Sequence, residues 1–197
     1  MQTVIIGASH AGIAAAQKLR ALQPNHEIMI IEATAYLDFS VQTLNLLLQK
    51  QFTTAKLTQQ TTQQILLLEQ QHIALQLNTK IITIDANQQS ILIENCLTGE
   101  QQLIYYESLI LAMTPTDPRQ PDSIINQPDL ELLTNHSPQA TLNAYQSINH
   151  LHQFIILGAG LNGLTLADSF TKDHHNQVTL IERQTHPLAR YLDRSFS

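Results

Sequence analysis

A single cysteine in 197 residues excludes an intramolecular disulfide and any multi-cysteine metal site. Six glycines and seven prolines exclude a collagen-like or Pro/Gly-rich disordered chain. No apolar run approaches the roughly 18–20 residues needed to cross a bilayer. The N-terminus has neither the basic stretch nor the apolar core of a signal peptide. Basic residues are scarce too. Ten Lys and Arg against sixteen Asp and Glu give a net charge of -6, which argues against nucleic acid as a partner. A soluble, cytoplasmic protein with no membrane partner is the expectation.

Charged residues make up only 13% of the chain, about half the usual ~25%. Glutamine takes their place, with 24 copies. The run Gln59-Gln60-Thr61-Thr62-Gln63-Gln64 leads straight into Ile65-Leu66-Leu67-Leu68. This reads as a helix with an amide-rich exposed face, not a prion-like tract. The length allows one domain or two small ones, with enough chain for a sizeable core.

The order of elements points to an α/β fold. Val4-Ile5-Ile6 is a buried-strand signal ending at Gly7. Gly12 to Leu22 has helical spacing, Pro24-Asn25 breaks it, and Glu27 to Ile31 forms a second strand closing on Glu32. Short βαβ units imply a parallel sheet. Leu44 to Lys50 and Leu57 to Gln71 read as helices. Three short strands, Ile81 to Ile84, Ile91 to Glu94 and Leu103 to Tyr106, form an antiparallel meander across about 81–106. Ser108 to Ala112 is another strand. Pro115, Pro118, Pro121 and Pro128 mark a connector, followed by Leu130 to Leu133 and a helix near Pro138 to His150.

Then the opening pattern returns. Phe154-Ile155-Ile156-Leu157 runs into Gly158-Ala159-Gly160-Leu161-Asn162-Gly163, a helix to about Lys172, the strand Val178 to Ile181, and Glu182. The acid follows the last glycine by 20 residues in the first unit and by 19 in the second. Gly158-x-Gly160-x-x-Gly163 between strand and helix is the full dinucleotide-binding fingerprint. The first glycine permits the turn, the second admits a pyrophosphate, and the third lets helix and strand pack. Glu182 would take ribose hydroxyls and repel a 2′-phosphate, favouring NAD over NADP. Gly7-Ala8-Ser9-His10-Ala11-Gly12 is a variant with Ser9 at the middle place, small enough to let phosphate near, and Glu32 again suits a ribose. His10 opens the helix, where its side chain could face a bound ring.

Two such units separated by a meander resemble the pyridine nucleotide-disulfide oxidoreductases. The opening VIIGASHAGIAAAQKL, the acid segment EIMIIEATAYLDFS, the hairpin NTKIITIDANQQSILIENCLTGE and the strand YESLILA resemble the NADH peroxidase, NADH oxidase and coenzyme A-disulfide reductase branch. HPLARYLDRSFS resembles the stretch after its NAD-binding acid. The resemblance covers nearly all of this chain but about the first half of a family member. It implies a Rossmann-like FAD-binding domain over 1–118 with the meander inserted, a connector and helix over 119–150, and the start of a second Rossmann-like, NAD-binding domain over 151–197. FAD and NADH are the cofactors it implies, with Ile81 and Ala112 added to the cofactor-binding positions and His10 as a catalytic candidate. The rest of both domains and the dimerisation domain would follow Ser197, so a homodimer belongs to a longer form.

The branch's redox cysteine does not carry over. Its Phe-x-x-Cys-Gly segment reads Phe39-Ser40-Val41-Gln42-Thr43 here, and an amide at Gln42 cannot form a sulfenic acid or a mixed disulfide. Cys96, in the meander beside a turn, is expected to be a structural thiol. The family's Ala-Thr-Gly reads Ala112-Met113-Thr114, an Arg that would meet the FAD phosphates aligns loosely with Thr134, and an aromatic and a Glu near the flavin become Leu161 and Thr165. His150-x-His152 and His174-His175 lack a carboxylate or thiol at ligand spacing and read as solvated loop histidines, so no metal is expected. No G-x-S-x-G elbow supports a hydrolase. The expected function is a flavin-dependent NADH oxidoreductase that transfers hydride from NADH to flavin without thiol chemistry. The alternatives are a truncated, non-catalytic nucleotide-binding remnant and an interaction protein that kept the scaffold.

Overall fold

The computed structural model describes residues 2–38, 43, 46, 47, 49, 51–113, 152–193 and 195. Gln42, Thr114, Thr134, the connector and helix expected over 119–150, and most of the helix expected over Leu44 to Lys50 lie outside them. The chain divides into two compact units. Among the described residues the first holds 2–38 and 55–113, and the second holds 152–195 with those between 43 and 54.

The first unit is built on a four-stranded parallel sheet. Its strands are β1 (Gln2–Ile6), β2 (Glu27–Ile31), β3 (Ile73–Gln76) and β7 (Ser108–Leu111), in the order β3-β2-β1-β7. Register is fixed by pairs such as Ile5↔Ile30 and Ile5↔Ile110. β1 is apolar at every position from Val4 to Ile6 because both its faces are covered. On one face, helices α1 (His10–Leu22) and α2 (Thr54–Gln70) enclose Ile5, Ile13, Ala16, Ile28, Ile30, Leu68 and Ile73. On the other, Val4, Ile6 and Ile31 meet Ile91, Ile93 and Ile104. These last three belong to the antiparallel meander of β4 (Thr79–Asp85), β5 (Ser90–Asn95) and β6 (Gln101–Tyr105). Each fully buried Ile or Leu stabilises this sandwich by about 1.5–3 kcal/mol.

The spacing-based reading starts the first helix at Gly12, whereas α1 begins at His10. The Ser9 hydroxyl caps it, accepting from the Gly12 N–H at 3.4 Å. At the other end, Arg20 donates to the carbonyls of Pro24, His26, Gln71 and His72 at 2.6–2.8 Å. One guanidinium thus ties the end of α1 to the start of β2 and the end of α2. Strand β3 was not foreseen. It has four residues and follows α2 after a tight turn in which His72 takes φ 53, with no Gly or Pro to announce it.

In the second unit β8 (Gln153–Leu157) pairs in parallel with β9 (Gln177–Ile181), joined by α3 (Leu161–Thr171). The helix covers one face, where Ile156 and Phe170 are buried among Phe154, Leu166, Val178 and Leu180. The Phe154 and Phe170 rings stack at 4.1 Å. The opposite face leaves Ile155, Leu157 and Ile181 between 49% and 65% exposed. Within this unit Gln49 Nε2 donates to Ser169 Oγ at 2.9 Å, and that hydroxyl donates to the Thr165 carbonyl at 2.8 Å. Gln49 thus lies with α3 in the second unit.

Candidate functional site: two matching glycine turns

Both strand-to-helix turns are locked by the same set of backbone and carboxylate contacts. Gly7 and Gly158 each take φ 102, a conformation only glycine adopts readily. Gly7 N–H donates to the Ile31 carbonyl at 2.8 Å, and Gly158 N–H to the Ile181 carbonyl at 2.7 Å. The next residue's N–H reaches the acid that ends the second strand: Ala8 to Glu32 Oε2 at 2.8 Å, Ala159 to Glu182 Oε2 at 2.6 Å. The Asp38 N–H then donates to the Ala8 carbonyl, and the Leu188 N–H to the Ala159 carbonyl, both at 2.9 Å. Asp38 and Leu188 both sit in the left-handed region, at φ 51 and 54.

The glycines differ in what they are for. A Cβ on Gly12 would overlap the Gly7 carbonyl oxygen, and one on Gly163 would overlap the Gly158 carbonyl oxygen. These two residues let each helix pack onto its own turn. A Cβ on Gly160 would meet nothing within 4 Å. That open space is where an approaching pyrophosphate would need room. The Ser9 hydroxyl is already engaged, donating to the Ala112 carbonyl at 2.8 Å. Ala112 O would lie 2.6 Å from a Cβ on Gly7. The backbone at Ala112 therefore approaches the turn closely.

Each acid is held from a second side. Glu32 Oε1 accepts from the Thr34 N–H and hydroxyl, both at 3.0 Å. Glu182 Oε1 accepts from the Gln184 N–H at 2.7 Å. The bonds from Gln184 and then Ala159 hold the Glu182 carboxyl below the ordinary carboxylate range. Sequence reasoning assigned these acids to ribose alone and missed their grip on the turns. The Glu-x-Thr spacing after β2 was the available signal.

The structure brings Gly7, Ser9, His10, Gly12, Glu32 and Ala112 together at one end of the parallel sheet. Ile81 sits two residues into β4 from Thr79, whose N–H donates to the Glu32 carbonyl at 2.9 Å. Its half-buried side chain packs on the core beneath the meander. Gly158, Gly160, Gly163 and Glu182 form their own cluster in the second unit. The His10 side chain is 91% exposed, with Nδ1 3.5 Å from Asp38 Oδ2. The two residues border a cavity of about 250 Å³ between α1 and α2. The structure thus sets Asp38 beside His10 at the opening of α1. Cys96, expected to be a structural thiol, is free and exposed. Its Sγ lies 3.8 Å from the Ala33 carbonyl oxygen. Among the described residues no helix is long and apolar enough to cross a membrane.

A rubredoxin-NAD(+) reductase from Acinetobacter baylyi is 25% identical over 195 residues, covering 96% of this chain and 47% of that protein. An NADH oxidase from Enterococcus faecalis is 21% identical, covering all of this chain and 43% of that protein. The structure of a water-forming NADH oxidase from Lactobacillus brevis, bound to NADH, superposes with a TM-score of 0.82 at 20% identity, over 100% of this chain and 42% of that one. The chain therefore spans less than half the length of these relatives. The family model described as pyridine nucleotide-disulphide oxidoreductase matches residues 1–197, and the chain belongs to that family.

Proposed function

We propose that this chain is the nucleotide-binding portion of a flavin-dependent NAD(P)H oxidoreductase. FAD would be held at Gly7, Ser9, His10, Gly12, Glu32, Ile81 and Ala112, and NADH at Gly158, Gly160, Gly163 and Glu182. The observation that carries this reading is the duplicated turn, each copy closed by its own carboxylate, Ala8 N–H on Glu32 and Ala159 N–H on Glu182. The open space at Gly160 suits a pyrophosphate, and each helix start offers N–H groups and partial positive charge to it. A bound flavin supplies hydride acceptance from the nicotinamide. The chain's residues supply position. The carboxylates keep acceptor capacity for ribose hydroxyls, and the charge of Glu182 opposes a 2′-phosphate, which favours NAD. His10, beside Asp38, is the candidate proton donor. We place the protein in the cytoplasm.

Gln42 stands where the branch has its redox cysteine. Thiol chemistry is therefore outside this proposal, and oxygen, a quinone or a dye is left as electron acceptor. One observation favours a second reading, a non-catalytic nucleotide-binding remnant: Gln42 and Thr114 stand where the branch carries its redox cysteine and its flavin-side glycine. Visible flavin absorbance of the purified protein, with NADH oxidation after FAD addition, supports the enzyme. A colourless protein that binds ADP-ribose without oxidising NADH supports the remnant. NADH oxidation strongly stimulated by hydrogen peroxide or coenzyme A disulfide, and abolished in Cys96→Ser, would overturn the exclusion of thiol chemistry.

A further inference from the structure

We propose that His152 and His175 form a binding site for a divalent transition-metal cation of the Cu2+, Ni2+ or Zn2+ class. The β8–β9 ladder brings them together. Gln153 pairs with Gln177, and the Gln177 N–H donates to the His152 carbonyl at 2.6 Å. The residue before β8 thus lies beside the loop that leads into β9. The two rings are 6.5 Å apart between centroids and inclined at 66°, and both residues are exposed.

Asn176 prepares one ring as a ligand. Its Nδ2 donates to the Phe170 carbonyl at 2.9 Å, which turns Oδ1 toward His152. Oδ1 lies 3.3 Å from His152 Nδ1 and, as an acceptor only, takes the proton of Nδ1. Nε2 then carries the free lone pair that a metal requires. A ligating imidazole commonly donates its other ring N–H to an oxygen acceptor that fixes its tautomer, and Oδ1 of Asn176 is such an acceptor. The loop bearing His175 is held in turn, its N–H donating to Asp173 Oδ1 at 3.1 Å.

The spacing is close to what one ion needs. With metal–nitrogen bonds of about 2.0–2.1 Å, two imidazoles on a tetrahedral ion have centroids roughly 5 Å apart. Rotation of the exposed His175 side chain closes the remaining gap. Among the described residues no group of three or more His, Cys, Asp or Glu surrounds a common point. Water therefore completes the coordination, and the ion exchanges freely. The site lies at the start of β8, whereas Gly158 follows its end. A five-residue strand spans about 16–17 Å, so bound metal leaves the glycine turn clear.

The test is titration of the tag-free chain with CuCl2 or NiCl2 alone, by calorimetry and, for Cu2+, by electron paramagnetic resonance. The expected result is one saturable equivalent, with nitrogen splitting from two imidazoles. His152→Gln and His175→Gln should each weaken binding about tenfold or more, Asn176→Ala should weaken it less, and His186→Gln should leave it unchanged. Absence of saturable binding, splitting from a single nitrogen in the wild-type chain, or wild-type affinity in either His152→Gln or His175→Gln overturns the site. The wild-type spectrum decides the question even if a variant misfolds.

Discussion

Gly7 and Gly158 share a φ of 102 but not a neighbourhood. A Cβ on Gly7 would stand 2.6 Å from the Ala112 carbonyl oxygen, whereas one on Gly158 would meet nothing within 4 Å. Alanine at Gly158 meets only the backbone penalty, roughly 1–2 kcal/mol. Alanine at Gly7 meets that penalty and a collision with backbone that cannot yield without shifting β7. Urea unfolding should therefore show Gly7→Ala losing more stability in the first unit than Gly158→Ala loses in the second. Equal losses would mean that the Ala112 contact gives way freely.

Gly160 separates stability from binding. Its φ is -78 and its surroundings are open, so alanine there fits the unliganded fold. Gly160→Ala should unfold like the wild-type chain while its NADH affinity falls at least severalfold, because the added methyl occupies the space kept for the pyrophosphate. Gly163→Ala should fail in the opposite order, since its Cβ strikes the Gly158 carbonyl oxygen. NADH titration followed by fluorescence, with thermal unfolding of the same samples, checks both.

The double role of Glu32 predicts a graded loss. Glu32→Ala removes a ribose acceptor and the partner of the Ala8 N–H, the Thr34 N–H and the Thr34 hydroxyl. ADP-ribose or FAD binding should weaken by about 1–3 kcal/mol. Glu32→Gln, which keeps one acceptor oxygen, should retain part of it. Riboflavin binding tightly while ADP-ribose fails at millimolar concentration would reverse the assignment of this turn to the adenosine end.

The strands and the two fingerprints were legible because their signals are local. β2 and its closing Glu32, and β8 with Gly158, Gly160 and Gly163, follow from apolar runs and glycine spacing. β3 was not legible, because Ile73–Gln76 acquires its identity from parallel pairing with Ile28–Ile31, and a four-residue run carries no period. The left-handed Asn78, at φ 50 where the chain leaves β3 for the meander, was a usable mark of that boundary. The link from Ser9 to Ala112, 103 residues away, and the place of Asp38 beside His10 arise from tertiary packing. No spacing rule reports them.

Acid should weaken the second turn through Glu182. Its folded carboxyl titrates below its ordinary value because Gln184 and Ala159 donate to the charged form. A depressed folded value contributes stability that is fully present above the unfolded value and lost as pH falls through the folded one. The Ala159 amide should therefore lose exchange protection in the window below the ordinary glutamate range, near pH 4.3 and lower. In Glu182→Gln the same amide should show a flatter acid dependence. A Glu182 carboxyl midpoint at or above the ordinary value, read by carbon NMR, would contradict this.

The two sheets should also differ in their opening. β1 has a hydrogen-bonded strand on each side and covered faces on both, so its amides open only with the whole first unit. β8 and β9 pair only with each other among the described residues, and Ile155, Leu157 and Ile181 add little burial on their bare face. Among the described residues this sheet has one helix over two strands, which bury too little apolar surface to offset an ordering entropy of roughly 1–2 kcal/mol per residue. Amide exchange from Gly158 to Glu182 should therefore be much faster than from Thr3 to Ile6, and NADH affinity in this chain should be no better than high micromolar. If saturating NADH slows exchange specifically at Gly158 to Gly163, the turn is organised by its ligand. Slow exchange without ligand, together with tight NADH binding, would show that this sheet stands without further strands and would favour the enzyme over the remnant.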